Sequence, residues 1–529
     1  MEHYINKSSA EGLKMTDQKT YDVAIIGYGP VGCTAANLLG QMGLNVVVVE
    51  RDPDIYARAR AISTDEEVVR IWQQVGLADR LNADMQPGRG ANFVDAKGVP
   101  FVKLLPTPRG NGHPPQQFIY QPALEKVLRE GVDRFPNVTT LLEHECLRLV
   151  PKGDSIELML ADLTTDEFRR VRASYVIAAD GGSSATRAQL GVGFGGRTYG
   201  ERWIVIDTKV LKEWPGHDRL RFHCNPERPT VDCPTPLGHH RWEFPVRDEE
   251  DEKDLLHEDA IWNVLRGQGI TPENVKILGY ACYSHHVRFA DRWRVGRVFL
   301  AGDAAHAMPP WIGQGMCAGV RDVANLCWKL NAVLNGSLPE SVLDTYQSER
   351  LPHVKEVTNR AVKTGKLIIQ RNKFRAAARN HIFRTASKVP YFLTWLRDHR
   401  WIPDAHYQEG LLARNGNGAV GWLIPQPRVF DEKGDSVRLD DVIGNRWTVL
   451  QTGRASEHPD WRAAGVPVLE VTQAGSTPRA DSIVDSEGTL NAWLTTKGAS
   501  AVVVRPDGFI YAGAGDGQPL PPPPAGFKS

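Results

Sequence analysis

The first ordered stretch of the chain is an apolar run, Asp22-Val-Ala-Ile-Ile, that stops at Gly27-Tyr-Gly-Pro-Val-Gly32. A short continuous apolar run bounded by glycine reads as a strand covered on both faces. The Ala- and Leu-rich run from Val31 to Met42 predicts a helix closed by Gly43, and Leu44 to Val49 predicts a second buried strand that ends at Glu50. Together these make a β-α-β unit, which implies parallel strands with a right-handed crossover. Two more short apolar runs, Tyr175 to Ala179 and Arg297 to Ala301, each lead into an acidic and glycine pair, Asp180-Gly181 and Gly302-Asp303.

Between those runs the period changes. From about Glu201 to Val287, apolar and polar residues alternate between Pro and Gly breaks, which predicts a mostly antiparallel sheet inserted into the α/β domain. After Gly313 the pattern is helical, through Ala324 to Val333 and Ser341 to Ile369, and a basic helical segment spans Gln370 to Arg400. The Gly-, Asn- and Pro-rich stretch Arg414 to Pro427 marks a boundary. Beyond it, Trp447 to Gln451, Val466 to Val471 and Ala501 to Arg505 predict a small separate α/β unit. The expected class is therefore α/β, divided into a tail over 1–20, a Rossmann-like nucleotide-binding domain over 21–190 that includes some segments of the inserted unit, an inserted β-sheet domain over 191–288, the second part of the first domain with a helical segment over 289–400, and a C-terminal domain over 405–529.

Composition narrows the partners. The chain has 529 residues, enough for three or four units at about 150 residues per domain. Lys plus Arg and Asp plus Glu are both 63, so no basic excess exists to neutralise nucleic acid or an anionic membrane, and neither is expected as a partner. Apolar runs such as Val46 to Val49 fall far short of the roughly 18 residues of a membrane span. The seven cysteines are scattered with no Cys-x-x-Cys pair, which suits reduced thiols in the cytoplasm and no metal site. Met1 to Thr20 is polar and lacks the apolar core of an export signal, so a disordered tail is expected, with Met15 as an alternative start.

The chemistry sits at the ends of the apolar runs. In Gly27-x-Gly29-x-x-Gly32, with Pro30 between the glycines, the glycines provide a tight turn, close backbone approach to a pyrophosphate and close packing of helix on strand, and the phosphates then face the positive end of the following helix. Glu50, 18 residues after Gly32, ends the next strand, where a carboxylate can accept hydrogen bonds from ribose hydroxyls. That acid would repel a 2′-phosphate, so the nucleotide is FAD or NAD rather than NADP. Arg51 beside it is either a solvated charge or a contact to adenine or phosphate. Further on stand Asp180-Gly-Gly-Ser-Ser184-Ala-Thr-Arg187 and Gly302-Asp303-Ala-Ala-His306, the latter followed by Pro309 and Gly313-Gln-Gly-Met316.

These three motifs, in this order and spacing, resemble the class A flavoprotein aromatic hydroxylases, which are FAD-dependent monooxygenases; the resemblance covers most of the first 370 residues. It implies that Asp303 holds a ribityl hydroxyl and that the peptide groups of Gly313, Gln314, Gly315 and Met316 face the isoalloxazine. It also implies that Asp180 and Arg187 serve both FAD and the nicotinamide cofactor, and that Arg60 and Gln121 contact the flavin or its dinucleotide linker. NADH or NADPH would dock transiently, since no second complete glycine motif is present. Within this family the chain is most similar to 3-(3-hydroxyphenyl)propionate hydroxylases, through Leu39-Gly-Gln-Met-Gly43, Cys224-Asn-Pro-x-Arg-Pro229, Arg241-Trp-Glu-Phe244 and Arg321-Asp-x-x-Asn-Leu-x-Trp-Lys-Leu330. One departure is Cys317, where many relatives carry Asn. His306 suits either a place just behind the cofactor or a satisfied core histidine.

The reaction so implied is hydroxylation of a phenolic ring, of the hydroxyphenyl-propionate type, by way of a flavin C4a-hydroperoxide. A phenol with a pKa near ~10 needs a base or acceptor at neutral pH. His223, His239, His240, Glu243 and Tyr283 are candidates for that role, and Arg221, Arg228 and Arg241 are candidates to meet a substrate carboxylate. The pairs His239-His240 and His285-His286 point to opposite faces of a strand and are not expected to bind metal. The C-terminal domain resembles the thioredoxin-like domain of larger aromatic hydroxylases. It has no cysteine, which leaves it a packing or homodimerisation role. Two other classes share part of the pattern: an FAD-dependent reductase of isoprenoid-type substrates, which needs no oxygen, and a non-catalytic flavin-binding sensor.

Overall fold

A computed structural model describes residues 19–56, 60–397, 403–413, 417–453 and 458–528. The expected tail falls almost entirely on residues 1–18, outside the described residues. The first apolar run forms the strand Thr20–Ile26, which pairs in parallel with Phe168–Ala178 on one side and Val46–Val49 on the other. Val138–Leu141 and Val298–Leu300 extend this parallel core outward. Strand side chains alternate in direction. Val23, Ile25, Val46 and Val48 accordingly enter one apolar cluster, while Ala24, Ile26, Val47 and Val49 enter another. Cover on both faces is why Val23–Ile26 and Val46–Val49 carry no polar residue.

Four helices bear on the position of the site: α1 (Pro30–Gln41), α2 (Glu66–Gln74), α3 (Gly315–Leu334) and α4 (Thr345–Ile368). Both α1 and α2 pack on α3, which is buried along most of its length and has α4 as a further neighbour. The expected helix from Ser341 is split, since Glu340–Asp344 forms a tight 3₁₀ turn before α4 begins.

The inserted sheet is larger than the alternating stretch predicts. It has eight strands in the order His306–Ala307, Val275–Ala290, Phe194–Val210, His239–Pro245, Thr230–Thr235, Leu220–His223, Ala91–Val94 and Pro100–Leu104. The two strands at one edge, Ala91–Val94 and Pro100–Leu104, come from the first part of the chain, and Ala91–Val94 joins Leu220–His223 in parallel in an otherwise antiparallel sheet. Trp203, Leu220, Phe222 and Val231 share one apolar cluster; Ile204, Ile206, Trp242 and Phe244 form another with Ile261 and Leu265 of the helix Glu258–Gly267.

The C-terminal unit is a seven-stranded mixed sheet. Thr448–Thr452, Val468–Gln473 and Ser482–Asp485 run parallel at its middle, and antiparallel pairs flank them, which is an arrangement in keeping with a thioredoxin-like unit. Among the described residues, no helix is long and apolar enough to cross a membrane.

Candidate active site

A cavity of about 360 Å³ lies between the carboxyl ends of the parallel strands and one face of the inserted sheet. Ligands of open α/β sheets bind at this end of the strands. One side of the cavity is lined by Gly29, Pro30, Ala179, Gly181, Gly302, Asp303 and the turn Gly313 to Met316, and the other by Ala91, Leu104, Phe118, Leu220, Phe222, Val231, Glu243 and Trp311.

The first side is built from the turns that end the strands. Gly27 has φ +98°, where a side chain is strained, and a Cβ there would fall 2.5 Å from the Ala179 oxygen. A Cβ on Gly32 would collide with the Gly27 carbonyl, whereas Gly29 faces open space. Glu50 accepts the Tyr28 amide at 2.7 Å and the Asp52 amide at 3.0 Å, so it braces the glycine turn. Arg51 is exposed, with its guanidinium 3.8 Å from Asp52. Asp180 accepts the Thr186 amide with one oxygen at 3.0 Å; its other oxygen is buried and has no protein partner. Arg187 is turned inward. It donates to the Ala304 and Gly182 carbonyls at 3.0 and 2.8 Å and lies 3.7 Å over the Phe194 ring.

Asp303 protrudes into the cavity and is enclosed by protein beyond it, and that desolvation raises its pKa above the ordinary carboxylate range. The turn that carries it is fixed from behind by Asp322, which accepts from the Gly302 amide at 3.1 Å and is bound by His306 at 2.6 Å and Arg350 at 2.9 Å. Burial alone would raise the Asp322 pKa, but the facing His306 ring and Arg350 guanidinium hold it low. His306 is thus a core histidine that positions the Asp303 turn. On the next turn Gln314 donates to Asp65 at 3.0 Å, and Arg321 holds the same carboxylate at 2.6 Å. Gln121 accepts both the Arg60 and Ala61 amides, at 2.7 and 2.6 Å, and fixes the bend that brings Arg60 to the cavity. Cys317 lies behind the lining, its sulfur 3.7 Å from the Gly313 oxygen, and burial pushes its thiol well up. Pro309 is buried too, and its neighbour Pro310 faces the cavity. The donor set fits a flavin dinucleotide: an open glycine turn at a helix start, a carboxylate on the next strand, the unpartnered Asp180 oxygen, and Asp303 beside the peptide groups of Gly313 to Met316.

On the opposite wall, strand alternation separates the expected bases. Leu220, Phe222 and Val231 face the cavity, so Arg221, His223 and Asp232 point away from it. There Asp232 gathers His223 at 2.6 Å, Arg221 at 2.9 Å and His240 at 3.4 Å, and these partners overcome burial to hold its carboxyl far below the ordinary range. His223 and His240 are therefore partners of a buried acid and lie outside the cavity lining. His239 stacks on Tyr120 with ring centres 4.0 Å apart, and Tyr283 is half-buried outside the lining. The three arginines already have acids: Arg221 has Asp232, Arg228 has Glu250, and Arg241 grips Asp207 at 2.8 and 2.9 Å. Of the expected bases only Glu243 lines the cavity. Burial raises its pKa, against the pull of Arg241 at 3.9 Å.

Several lining residues carry no sequence signal of their own, among them Phe118, Gln116 and the proline-rich wall Pro106 and Pro115, whereas Trp311 stands between the motif residues Pro309 and Gly313. Among the described residues, no group of three or more His, Cys, Asp or Glu side chains is placed to hold a metal ion.

Residues 20–361 match the FAD binding domain family, and residues 421–523 match the HcaD C-terminal domain family. A 3-(3-hydroxy-phenyl)propionate/3-hydroxycinnamic acid hydroxylase of Klebsiella pneumoniae subsp. pneumoniae is 34% identical over 522 residues, which cover 96% of this chain and 94% of the relative. The enzyme of the same description from Escherichia coli K12 is also 34% identical, over 93% of this chain and 91% of its own. In fold, the chain is similar to the flavin-dependent monooxygenase PieE in complex with FAD and substrate, with TM-score 0.80 at 23% identity over 95% of this chain and 97% of that one. It is also similar to aklavinone-11 hydroxylase in its ternary complex with FAD and aklavinone, with TM-score 0.75 at 24% identity over 95% and 97% of the two chains. By its match to the FAD binding domain over most of its length and its identity to these hydroxylases along nearly all of it, the chain belongs to the FAD-dependent aromatic hydroxylases, a family of flavoprotein monooxygenases.

Proposed function

We propose that this monooxygenase hydroxylates a phenolic ring of the hydroxyphenyl-propionate type, with Glu243 as the group that accepts the phenol proton. The observation that supports this reading is the cavity itself, which Glu243 lines together with Asp303, the Gly313 to Met316 turn and the apolar side chains Leu220, Phe222 and Trp311. FAD, when bound, takes hydride from NADH or NADPH and activates O2. Gly27, Gly29, Gly32 and Pro30 would receive its pyrophosphate, Glu50 with Arg51 its ribose and adenine end, and Asp180, Arg60 and Gln121 the linker. Asp303 and Gly302 would face the ribityl chain, and Pro309 and Cys317 support these turns from behind.

The chain does three things for the ring. Its apolar wall excludes water, which would otherwise compete for the activated oxygen. The wall side chains Leu220, Phe222, Val231 and Trp311 give the ring an apolar surface to pack against. Glu243, whose burial makes it a stronger base than an ordinary carboxylate, takes the proton from the phenol oxygen, and Arg241 stabilises the acid in its ionised form. All seven cysteines are free thiols, which suits the cytoplasm.

A screen of phenolic acids and neutral alkylphenols for stimulated NADH and NADPH oxidation, with O2 uptake and product mass, tests the reading. A ring product one oxygen heavier is expected, and oxidation that proceeds without oxygen would overturn it. Glu243→Gln should lower hydroxylation roughly 100-fold at pH 7. It should leave FAD content unchanged and recover activity as the pH nears the pKa of the free phenol, roughly 10.

A further inference from the structure

The segment between Leu104 and Phe118 has no regular structure over most of its length, yet it supplies Pro106, Pro115 and Gln116 to the cavity wall. Such a segment keeps its shape only through partners for its backbone polar groups. The partners here come from two directions. From α2, Glu66 accepts the Arg109 amide with one oxygen at 2.6 Å and the Asn111 amide with the other at 3.0 Å. Arg70 of the same helix donates to the Asn111 side chain at 3.0 Å.

The other partners belong to the C-terminal unit. The Gln426 backbone amide donates to the Gly110 oxygen at 2.6 Å, its side chain donates to the Asn111 oxygen at 2.7 Å, and Arg438 donates to the Gly112 oxygen at 3.2 Å. Gln426 is almost completely buried, at 1% exposure, so its amide group is a fixed internal clasp. The same unit grips α2, through Asp440 on Arg70 at 2.6 and 2.7 Å and through the Ile424 oxygen on Arg70 at 2.6 Å. At the cavity end of α2 stands its cap Asp65, which holds Gln314 and Arg321.

From this clasp we infer that the C-terminal unit is a positioning element for the substrate cavity, in which Gln426 fixes the 105–116 wall against α2 and so sets how tightly the aromatic substrate is held. Gln426 is a positioning residue, since it does not line the cavity. The inference rests on the cavity being the phenol site, as proposed above. It gives the cysteine-free unit a task in the reaction beyond packing.

The test uses the full-length holoenzyme with Gln426→Leu, which keeps volume and removes the side-chain donor, and a phenol found active in the screen. KM for the phenol should rise about tenfold, with kcat at saturation and FAD affinity within about twofold of wild type. Amide hydrogen exchange over residues 105–116 should quicken, while exchange in the parallel sheet stays unchanged. Gln426→Asn, which retains a shortened amide, should recover part of the KM. Unchanged exchange and KM, or FAD affinity and kcat falling together with the rise in KM, would overturn the inference. Should Gln426→Leu fail to fold, Arg438→Ala, at a partly exposed contact, carries the same comparison. Failure of every phenol to be hydroxylated would strike the proposed function instead, and wall exchange then judges the clasp alone.

Discussion

Burial raises the Glu66 carboxyl from an ordinary 4.5 to about 7, against the pull of the Asn111 and Arg109 amides that donate to it. A raised carboxyl pKa means that the folded state holds its proton more firmly than the unfolded state. Its contribution to stability is fully present below pH 4.5 and is lost as the pH rises through about 7. The size is at most about 3 kcal/mol. Denaturant unfolding at pH 4.5 and pH 8 should therefore show the wild type losing more stability across that interval than Glu66→Gln, and parallel losses would contradict this. The same residue shows a limit of reading from sequence. Glu66 follows the N-cap Asp65 and looks like an ordinary first-turn acid on α2; only the return of the chain at Arg109 and Asn111 makes it a buried anchor.

Among the elements, the β-α-β turn was legible because its glycines are needed whatever packs around them. Gly32→Ala illustrates the cost: the gain of about 1 kcal/mol in helix propensity is outweighed by collision with the Gly27 carbonyl, which must push α1 away from the turn. FAD affinity, measured by titration of the apoprotein, should fall at least tenfold, and an unchanged affinity would show that α1 tolerates the shift. The inserted sheet was legible as antiparallel but not as to which residues face the cavity. Arg221 and His223 alternate with Leu220 and Phe222, and polarity alone cannot say which set is inside when both sets are buried or nearly so. The register also shifts between Asp207 and Thr208 and between Thr198 and Arg202, so a count carried along Phe194–Val210 loses phase. The two strands contributed by Ala91–Val94 and Pro100–Leu104 pair across long sequence gaps, which no local pattern records.

At the scale of the whole molecule, charged groups join the C-terminal unit to the rest. Arg505 donates to both Glu349 oxygens at 3.0 and 2.9 Å, with Lys329 on the same carboxylate at 2.8 Å and Asp507 on Arg505 at 2.6 Å. Arg505, Glu349 and Lys329 are fully buried. Arg505→Met should cost about 3–5 kcal/mol, because Asp507 loses its charged partner and Glu349 keeps Lys329 as its one remaining charged partner, beside the Asn325 and Leu411 donors. A fall in melting temperature checks this, and a change below about 1 kcal/mol would show that the cluster adapts. These joints also govern how the protein is made. The strand Thr20–Ile26 waits for Phe168–Ala178, the cavity waits for Met316, and the wall clasp waits for Gln426. A chain still emerging from the ribosome thus displays the glycine turn long before the rest of the flavin's seat exists. The flavin's seat is complete only once its three separated motif stretches, the last ending at Met316, have been made; the C-terminal unit that follows closes the clasp on the cavity wall and turns a cofactor carrier into a shaped reaction vessel.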